Sequence, residues 1–331
     1  MKRAGHLIEK IADLDNLYLA FWKAKRGKTA KPEVLQFEKN FDENMRLLQT
    51  DLLNGDVPVG DYHYFTIHDP KERQICASSF RERVVQHALM NVCHAYFETY
   101  QIAHSYACRK GKGTYAAIEK AVYFSKKYTY FAKLDVRKYF ETIDHVLLKQ
   151  ALLRQYKDPK LICIFFDIID SYQTNRENGR SKGIPIGNLT SQYFANHYLA
   201  QADHYAIEVL QVKAYVRYMD DMVLWSSSLA DLRQKVAKFI QYLETTLGCC
   251  MKQTVQNSVA KGLPFLGYVI HPARLALAQR SKRRFIRKLR QLDTALEKGQ
   301  YSEAECLRRG LPLFAFLQKA NTYNLRKKAC Q

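Results

Sequence analysis

Two acidic residues stand side by side between two apolar runs, and this arrangement restricts the chain more than anything else in it. Val216 and Tyr218 precede Asp220-Asp221, and Met222-Val223-Leu224-Trp225 follows. The span from Val212 to Ser227 is rich in β-branched and aromatic residues and reads as two strands. Met219-Asp220 is the tight connection between them, which predicts a hairpin with carboxylates at its tip. Adjacent like charges between apolar strands repel unless a cation neutralises them. A pair of ordinary turn acids, bonded to nearby backbone, is the plain alternative.

Composition narrows the partners. The chain has 331 residues, 47% hydrophobic and 25% charged, with 52 Lys plus Arg against 32 Asp plus Glu, a formal net charge of +20. So basic a balance points to a polyanion, since each phosphate contact releases a counterion. A ribosomal or anionic-membrane partner would fit the charge as well. The eight cysteines form no C-x-x-C pair, which argues against a zinc site and for reduced thiols in a cytosolic protein. The first twenty residues carry acids, and no run of eighteen apolar residues occurs, so neither a signal peptide nor a membrane span is expected.

Along the chain, the first fifty residues read as amphipathic helix broken near Gly27 and Pro32. Tyr62 to Ile67 is a strand candidate; Asp69-Pro70-Lys71-Glu72 turns it, and Arg73 to Ala77 returns antiparallel. Ser79 caps a helix to about Tyr100, and Thr114 is expected to cap the next, after the basic loop Arg109 to Gly113. Tyr128 to Val136 is a strand carrying Asp135 near its end, with a helix from about Thr142 to Leu153. Asn178-Gly179-Arg180 reads as a turn, and helices are expected over about 189–210 and 229–247. Phe265 to Ile270 is read as one final strand, and the tail from Arg280 as basic helix interrupted at Gly310-Leu311-Pro312. Strands and helices mix without strict βαβ alternation, which predicts an α+β sheet with helices on one face.

Asp135 at a strand end and Asp220-Asp221 on a hairpin are what nucleotidyl transfer needs. Two divalent cations, roughly 3.5–4 Å apart, must be held by acids on rigid strands. Magnesium keeps waters and substrate phosphates as its remaining ligands. An acid salt-bridged to Lys133, Arg137 or Lys138 is the alternative for Asp135.

At this point the chain resembles the reverse transcriptases. Tyr218-Met219-Asp220-Asp221 matches their YxDD box, and Lys133-Leu134-Asp135-Val136-Arg137-Lys138-Tyr139-Phe140 their first aspartate motif. Phe65 to Ile75 matches the fingers segment and Phe265-Leu266-Gly267-Tyr268 the primer grip, in the family's order over about residues 55 to 275. The resemblance implies a right-hand polymerase making DNA on RNA, with fingers and some palm in 1–131, palm in 132–275 and a short thumb in 276–331. It implies two Mg2+ ions (Mn2+ as a substitute) on Asp135, Asp220 and Asp221 with the Val136 carbonyl. Phe140 would be the steric gate against a 2′-OH, or else a core aromatic. Lys71 and Arg73 would grip the triphosphate, and Lys252 would be a general acid for pyrophosphate. Tyr218 and Gly267 would lie against template and primer. Arg109, Lys110 and Lys112 would hold template phosphates, with a merely solvated loop as the alternative.

Gly183-Ile184-Pro185-Ile186-Gly187-Asn188-Leu189-Thr190-Ser191-Gln192 departs from the usual bacterial pattern, which has Gln-Gly and Ser-Pro where this chain has Ile186-Gly187 and Ser191-Gln192. In this it resembles the reverse transcriptases of diversity-generating retroelements, which copy a template RNA with errors at adenines. Ile186 and Gln192 would then contact the incoming nucleotide region, an apolar Ile186 leaving discrimination to shape; simple packing of Ile186 is the alternative. That resemblance implies a bacterial cytoplasm, in host or phage, and an accessory variability protein, a small basic helical oligomer, besides template RNA and primer or cDNA. A retron, group II-intron-like or defence-associated enzyme of ordinary fidelity is the competing reading. The basic run from Arg280 to Arg290, including Arg283, Arg284 and Arg287, reads as a thumb helix tracking the template–primer backbone, with an acidic-protein docking face or a solvated helix as alternatives. Little chain follows it, so removal of RNA and target nicking are expected from elsewhere.

Overall fold

The computed structural model describes residues 3–68, 72–177 and 180–329. Four helices open the chain: α1 (Ile8–Ile11), α2 (Leu14–Lys25), α3 (Pro32–Lys39) and α4 (Phe41–Asn54). The breaks at Gly27 and Pro32 are there, and two more fall at Asp13 and Asn40. Asp13 starts α2 by accepting from the Asp15 and Asn16 backbone N–H groups. Strands β1 (Tyr62–Ile67) and β2 (Arg73–Ser78) pair antiparallel, with Ile67 opposite Arg73. Helix α5 (Phe80–Tyr100) is capped by Ser79 as expected. Before α6 (Thr114–Lys127) the cap position is Gly113 instead of Thr114; the Thr114 hydroxyl donates to the Tyr218 oxygen at 3.1 Å.

Strand β3 (Tyr130–Asp135) is followed by α7 (Tyr139–Thr142), α8 (His145–Gln155) and α9 (Pro159–Asp170). Short strands β4 (Asn175–Glu177) and β5 (Arg180–Lys182) flank the turn expected at Asn178-Gly179, which lies outside the described residues. Helix α10 (Leu189–His204) ends in a π turn, Tyr205–Val209. Then come β6 (Ala214–Tyr218), β7 (Asp221–Ser226), α11 (Leu229–Thr245) and β8 (Val255–Ser258). Three short strands, β9 (Leu263–Phe265), β10 (Tyr268–Ile270) and β11 (Leu275–Leu277), precede the terminal helices α12 (Gln279–Glu297), α13 (Glu303–Gln318) and α14 (Tyr323–Ala329).

The central sheet is antiparallel in the order β6-β7-β3-β8. Both of its faces are covered, which corrects the expectation of helices on one face. Ala132, Leu134, Tyr215 and Leu224 join the main core with residues of α5, α10 and α11. Phe131, Val216, Val223 and Trp225 point the other way, onto Ala117, Ala121 and Phe124 of α6 and onto Leu263 and Phe265 of β9. Burying side chains of this size contributes about 1.5–3 kcal/mol each. The polar end of one of them is satisfied too: the Trp225 indole N–H donates to the Ser125 hydroxyl at 3.1 Å.

Two further expectations are corrected. Phe265 to Ile270 is not one strand: Leu266 (φ 46°) and Gly267 (φ 89°) both turn left-handed, and β9 and β10 form a hairpin around them. A Cβ on Gly267 would meet the Ser281 hydroxyl at 2.9 Å and the Phe316 ring at 3.0 Å, so glycine there lets α12 and α13 close onto the turn. The tail is not interrupted at Gly310-Leu311-Pro312, since α13 runs through both Gly310 and Pro312. The break falls instead near Gly299 (φ 64°), and Gly310 packs next to Leu292 of α12.

Candidate active site

The register of the sheet brings the three acids together. Asp135 at the end of β3 lies directly opposite Asp221 at the start of β7, and Tyr218 opposite Asp221 closes the hairpin around Met219-Asp220. Met219 takes a left-handed φ of 55°, uncommon for a residue with a Cβ. Two lysines accompany the acids. The Lys252 ammonium lies 2.5 Å from the Asp135 carboxylate, while its backbone N–H donates to the Asp135 carbonyl at 2.9 Å. The Lys133 ammonium lies 3.2 Å from Asp221 Oδ2. The other Asp221 oxygen, Oδ1, is buried and has no hydrogen-bond partner among the described residues.

Electrostatics marks the same spot. Burial pushes the Asp221 carboxyl up to about 7; Lys133 pulls it down, and Asp135 and Asp220 add to the rise. Asp220 is raised by burial and then by Asp135, against the pull of Lys252 and Arg73. Carboxylates so crowded, one of them with a buried and unpartnered oxygen, are costly without added positive charge. Among the described residues no three acids, histidines or cysteines already enclose an ion, so any cation here would draw further ligands from water or substrate.

Behind the hairpin stands a residue that sequence reasoning missed. Arg217, one residue before the YxDD box, is fully buried, as is Asp203 on α10. Its Nε and Nη2 donate to both Asp203 oxygens at 2.6–2.9 Å, and Nη1 donates to Asn196 Oδ1 at 3.0 Å and to the Met219 carbonyl at 3.1 Å. Gln101 accepts from Nη2 at 3.1 Å, and the Tyr215 hydroxyl donates to Asp203 at 2.8 Å. Burial alone would lower the Arg217 pKa; Asp203 reverses this and raises it. The guanidinium thus holds the strained end of the hairpin from inside the core. An Arg in an apolar strand was the available signal, but its acidic partner lies on another element.

The remaining candidates separate into groups. Arg73, on the β1–β2 hairpin, acts on Asp220 and lines a cleft with Leu266, Gly267, Arg280 and Arg284. Lys71 lies outside the described residues. Phe140 is half-buried on α7, and its carbonyl accepts from Ile184 N–H at 2.8 Å, next to the loop that bears Ile186. The Val136 side chain is buried in the core, and Gln192 is exposed on α10. The Ile186 carbonyl accepts from Cys76 N–H at 2.8 Å, which ties the loop to β2. Gly187 (φ 125°) makes this possible, since a Cβ there would meet the Cys76 carbonyl at 2.9 Å. The basic loop is largely turned inward. Arg109 pairs with Glu98 and donates to the Ile102 and Ser105 carbonyls, and Lys112 donates to the Ala103 carbonyl at 2.6 Å, leaving Lys110 as its exposed cation. Arg283 and Arg287 line a different groove from Arg284.

Comparison with known proteins agrees with this geometry. The sequence model described as reverse transcriptase (RNA-dependent DNA polymerase) matches residues 68–270, more than half of the chain. The COX1/OXI3 intron 1 protein of Saccharomyces cerevisiae is 22% identical over 213 residues, 61% of this chain and 25% of that protein. An uncharacterized 91 kDa protein in a cob intron of Schizosaccharomyces pombe is 28% identical over 136 residues, 40% of this chain and 17% of that protein. The chain therefore spans a quarter or less of these curated relatives. Among solved structures, apo telomerase from Candida tropicalis truncated from its C-terminal domain superposes with a TM-score of 0.52 at 15% identity, over 66% of this chain and 55% of that one. Apo telomerase from the same organism gives 0.50 at 13% identity, over 73% and 54%. These structures share the mixed helix-and-sheet, right-hand polymerase fold. From its matched sequence and its fold, this chain belongs to the reverse transcriptase family.

Proposed function

We propose that the chain is an RNA-directed DNA polymerase that extends a primer on template RNA at Asp135, Asp220 and Asp221. The observation that carries this is the unpartnered, buried Asp221 oxygen beside two further carboxylates brought together by strand register. These residues suit two Mg2+ ions (or Mn2+), with the Val136 carbonyl alongside, and waters and substrate phosphates completing each shell. Bound there, the ions would supply Lewis-acid activation of the attacking and leaving oxygens. The chain itself would orient the reactants: Arg73, with Lys71, would hold the triphosphate, Phe140 would exclude a ribose 2′-OH, and Lys252, on release from Asp135, would pass a proton to the leaving pyrophosphate. We divide the chain into fingers with some palm (1–131), palm (132–275) and thumb (276–331). Primer extension with deoxythymidine triphosphate on poly(rA)/oligo(dT) tests the reading. Wild type extends and Asp220→Ala does not; extension that survives the substitution sinks the assignment.

Within that activity we favour error-prone copying of a retroelement's own RNA, in a diversity-generating retroelement with an accessory variability protein as partner. Ile186, half-buried and anchored through its carbonyl, offers no side-chain hydrogen bond near the gate residue Phe140. Ile186→Gln should lower misincorporation at template adenines by several-fold, read by sequencing extension products. An unchanged error spectrum favours the other reading, an intron-type enzyme of ordinary fidelity, which the kinship with intron proteins supports.

A further inference from the structure

The basic helix α12 presents two cationic faces. Arg283 and Arg284 are consecutive and so stand about 100° apart around the helix. Arg280 and Arg284 line the cleft shared with Arg73, Leu266 and Gly267, where a primer–template duplex would run. Arg283, Arg287, Arg290 and Lys298 line a separate open groove of about 780 Å3, completed by Gln291, Thr294, Gln300 and Tyr301. Every lining residue of that groove belongs to α12 or the turn after it; none comes from the sheet or the fingers hairpin, and none is a carboxylate. Among the described residues Arg283, Arg290 and Lys298 have no ion-pair partner, although Asp293 and Glu297 sit on the same helix. The spacing from Arg283 to Lys298 is four cations over roughly 22 Å of helix, at about 1.5 Å per residue. Arg309 lies over the Tyr301 ring at 4.4 Å and fixes it beside the groove.

We propose that this outer face of α12 is a second RNA-binding surface, taking the sugar-phosphate backbone of a structured part of the template RNA outside the polymerase cleft. The proposal rests on the polymerase reading above for the identity of the polyanion. Cations repeated along one groove, with Arg283, Arg290 and Lys298 outside any ion pair among the described residues, favour a repeating anion, because each phosphate they meet releases a counterion. The amides and the ring beside them suit an unpaired base at the edge of such a segment. An acidic polypeptide would satisfy the charges alone, and it would leave the ring and amides without a role.

Arg290→Gln combined with Lys298→Gln tests it, in the full chain. Two probes are compared: a long multi-hairpin RNA, bound without primer, and a short poly(rA)/oligo(dT) duplex that fills only the cleft. The double variant should bind the long RNA roughly tenfold more weakly at ~0.15 M salt, and its slope of log K against log salt should fall by about 1.4–1.8. Extension of the short duplex should stay within about twofold of wild type on the same counterion argument. Arg284→Gln should show the converse, with a raised KM on the short duplex. An unchanged salt slope overturns the proposal and leaves a solvated face. So does equal loss of short-duplex extension, or binding of poly-glutamate as tight as that of RNA. Wild-type protein that cannot extend the short duplex would refute the polymerase reading, and the binding comparison would still decide the fate of this face.

Discussion

Two acid–base clusters lie back to back at one hairpin and are built on opposite terms. In the core, Asp203 accepts from Arg217 through both oxygens and from Tyr215, and the guanidinium reaches Asn196, Gln101 and the Met219 carbonyl besides. At the tip, Asp221 has a lysine on one oxygen and nothing described on the other, and Asp220 and Asp135 crowd it. A saturated buried pair specifies one arrangement of the chain. A deficient cluster of the same residue types keeps room for a ligand. What separates the two is the count of donors per oxygen together with access to solvent: Arg217 and Asp203 are wholly enclosed, whereas the Asp135 side chain is 34% exposed and that of Asp221 19%.

The largest effect expected from breaking this contrast is at the tip. Asp220→Ala should lower primer extension on the order of 10³-fold or more, with stability little changed, since preorganised charge stabilisation at the reacting centre is lost. A comparable loss of folding stability on urea unfolding would move Asp220 into the structural class. Next comes the core pair. Arg217→Met leaves Asp203 charged, buried and short of donors, and should cost about 3–5 kcal/mol of stability. Adding Asp203→Leu should restore most of that, while extension stays depressed by about tenfold to a hundredfold because the Met219 carbonyl has lost its donor. If the double variant recovers activity together with stability, Arg217 serves only the fold.

The third effect is one of pH. The Asp221 carboxyl titrates at about 7 in the folded chain against 3.8 ordinarily, so the folded state holds a proton that the unfolded state has released. Metal-free protein should therefore lose stability as pH rises from about 4 to about 7, and level off above. Added Mg2+ should flatten that slope, and Asp221→Asn should abolish this component of it; thermal unfolding across the range measures both. A slope that Asp221→Asn leaves untouched would place its origin elsewhere.

How legible these two clusters were in the sequence follows from the same difference. Asp135, Asp220 and Asp221 could be found because strand ends and tight turns announce themselves locally, and acids between apolar runs demand an explanation. The Arg217–Asp203 pair could not, because its partners sit on α10, β6 and the end of α5 and meet only through packing. The basic loop misled for a related reason. Its run of cations suggested phosphate contacts, yet Arg109 turns back onto Glu98 and the carbonyls that follow α5. Phe265 to Ile270 looked like one strand because the turn residue Leu266 is apolar; its left-handed backbone is imposed by neighbouring strands, and propensity does not show it. Helix α9, with its Asp158 cap and first-turn Pro159, was present in the sequence and went unread.

Met219 carries a further consequence. A left-handed backbone costs a residue with a Cβ roughly 1–2 kcal/mol, and glycine escapes most of that. Glycine at 219 would escape that cost, yet it would forfeit the methionine side chain, which packs against the main core. A Met219→Gly tip should therefore wander between turnovers and copy more slowly, without melting later. The awkward angle is kept by the same side chain that suffers it.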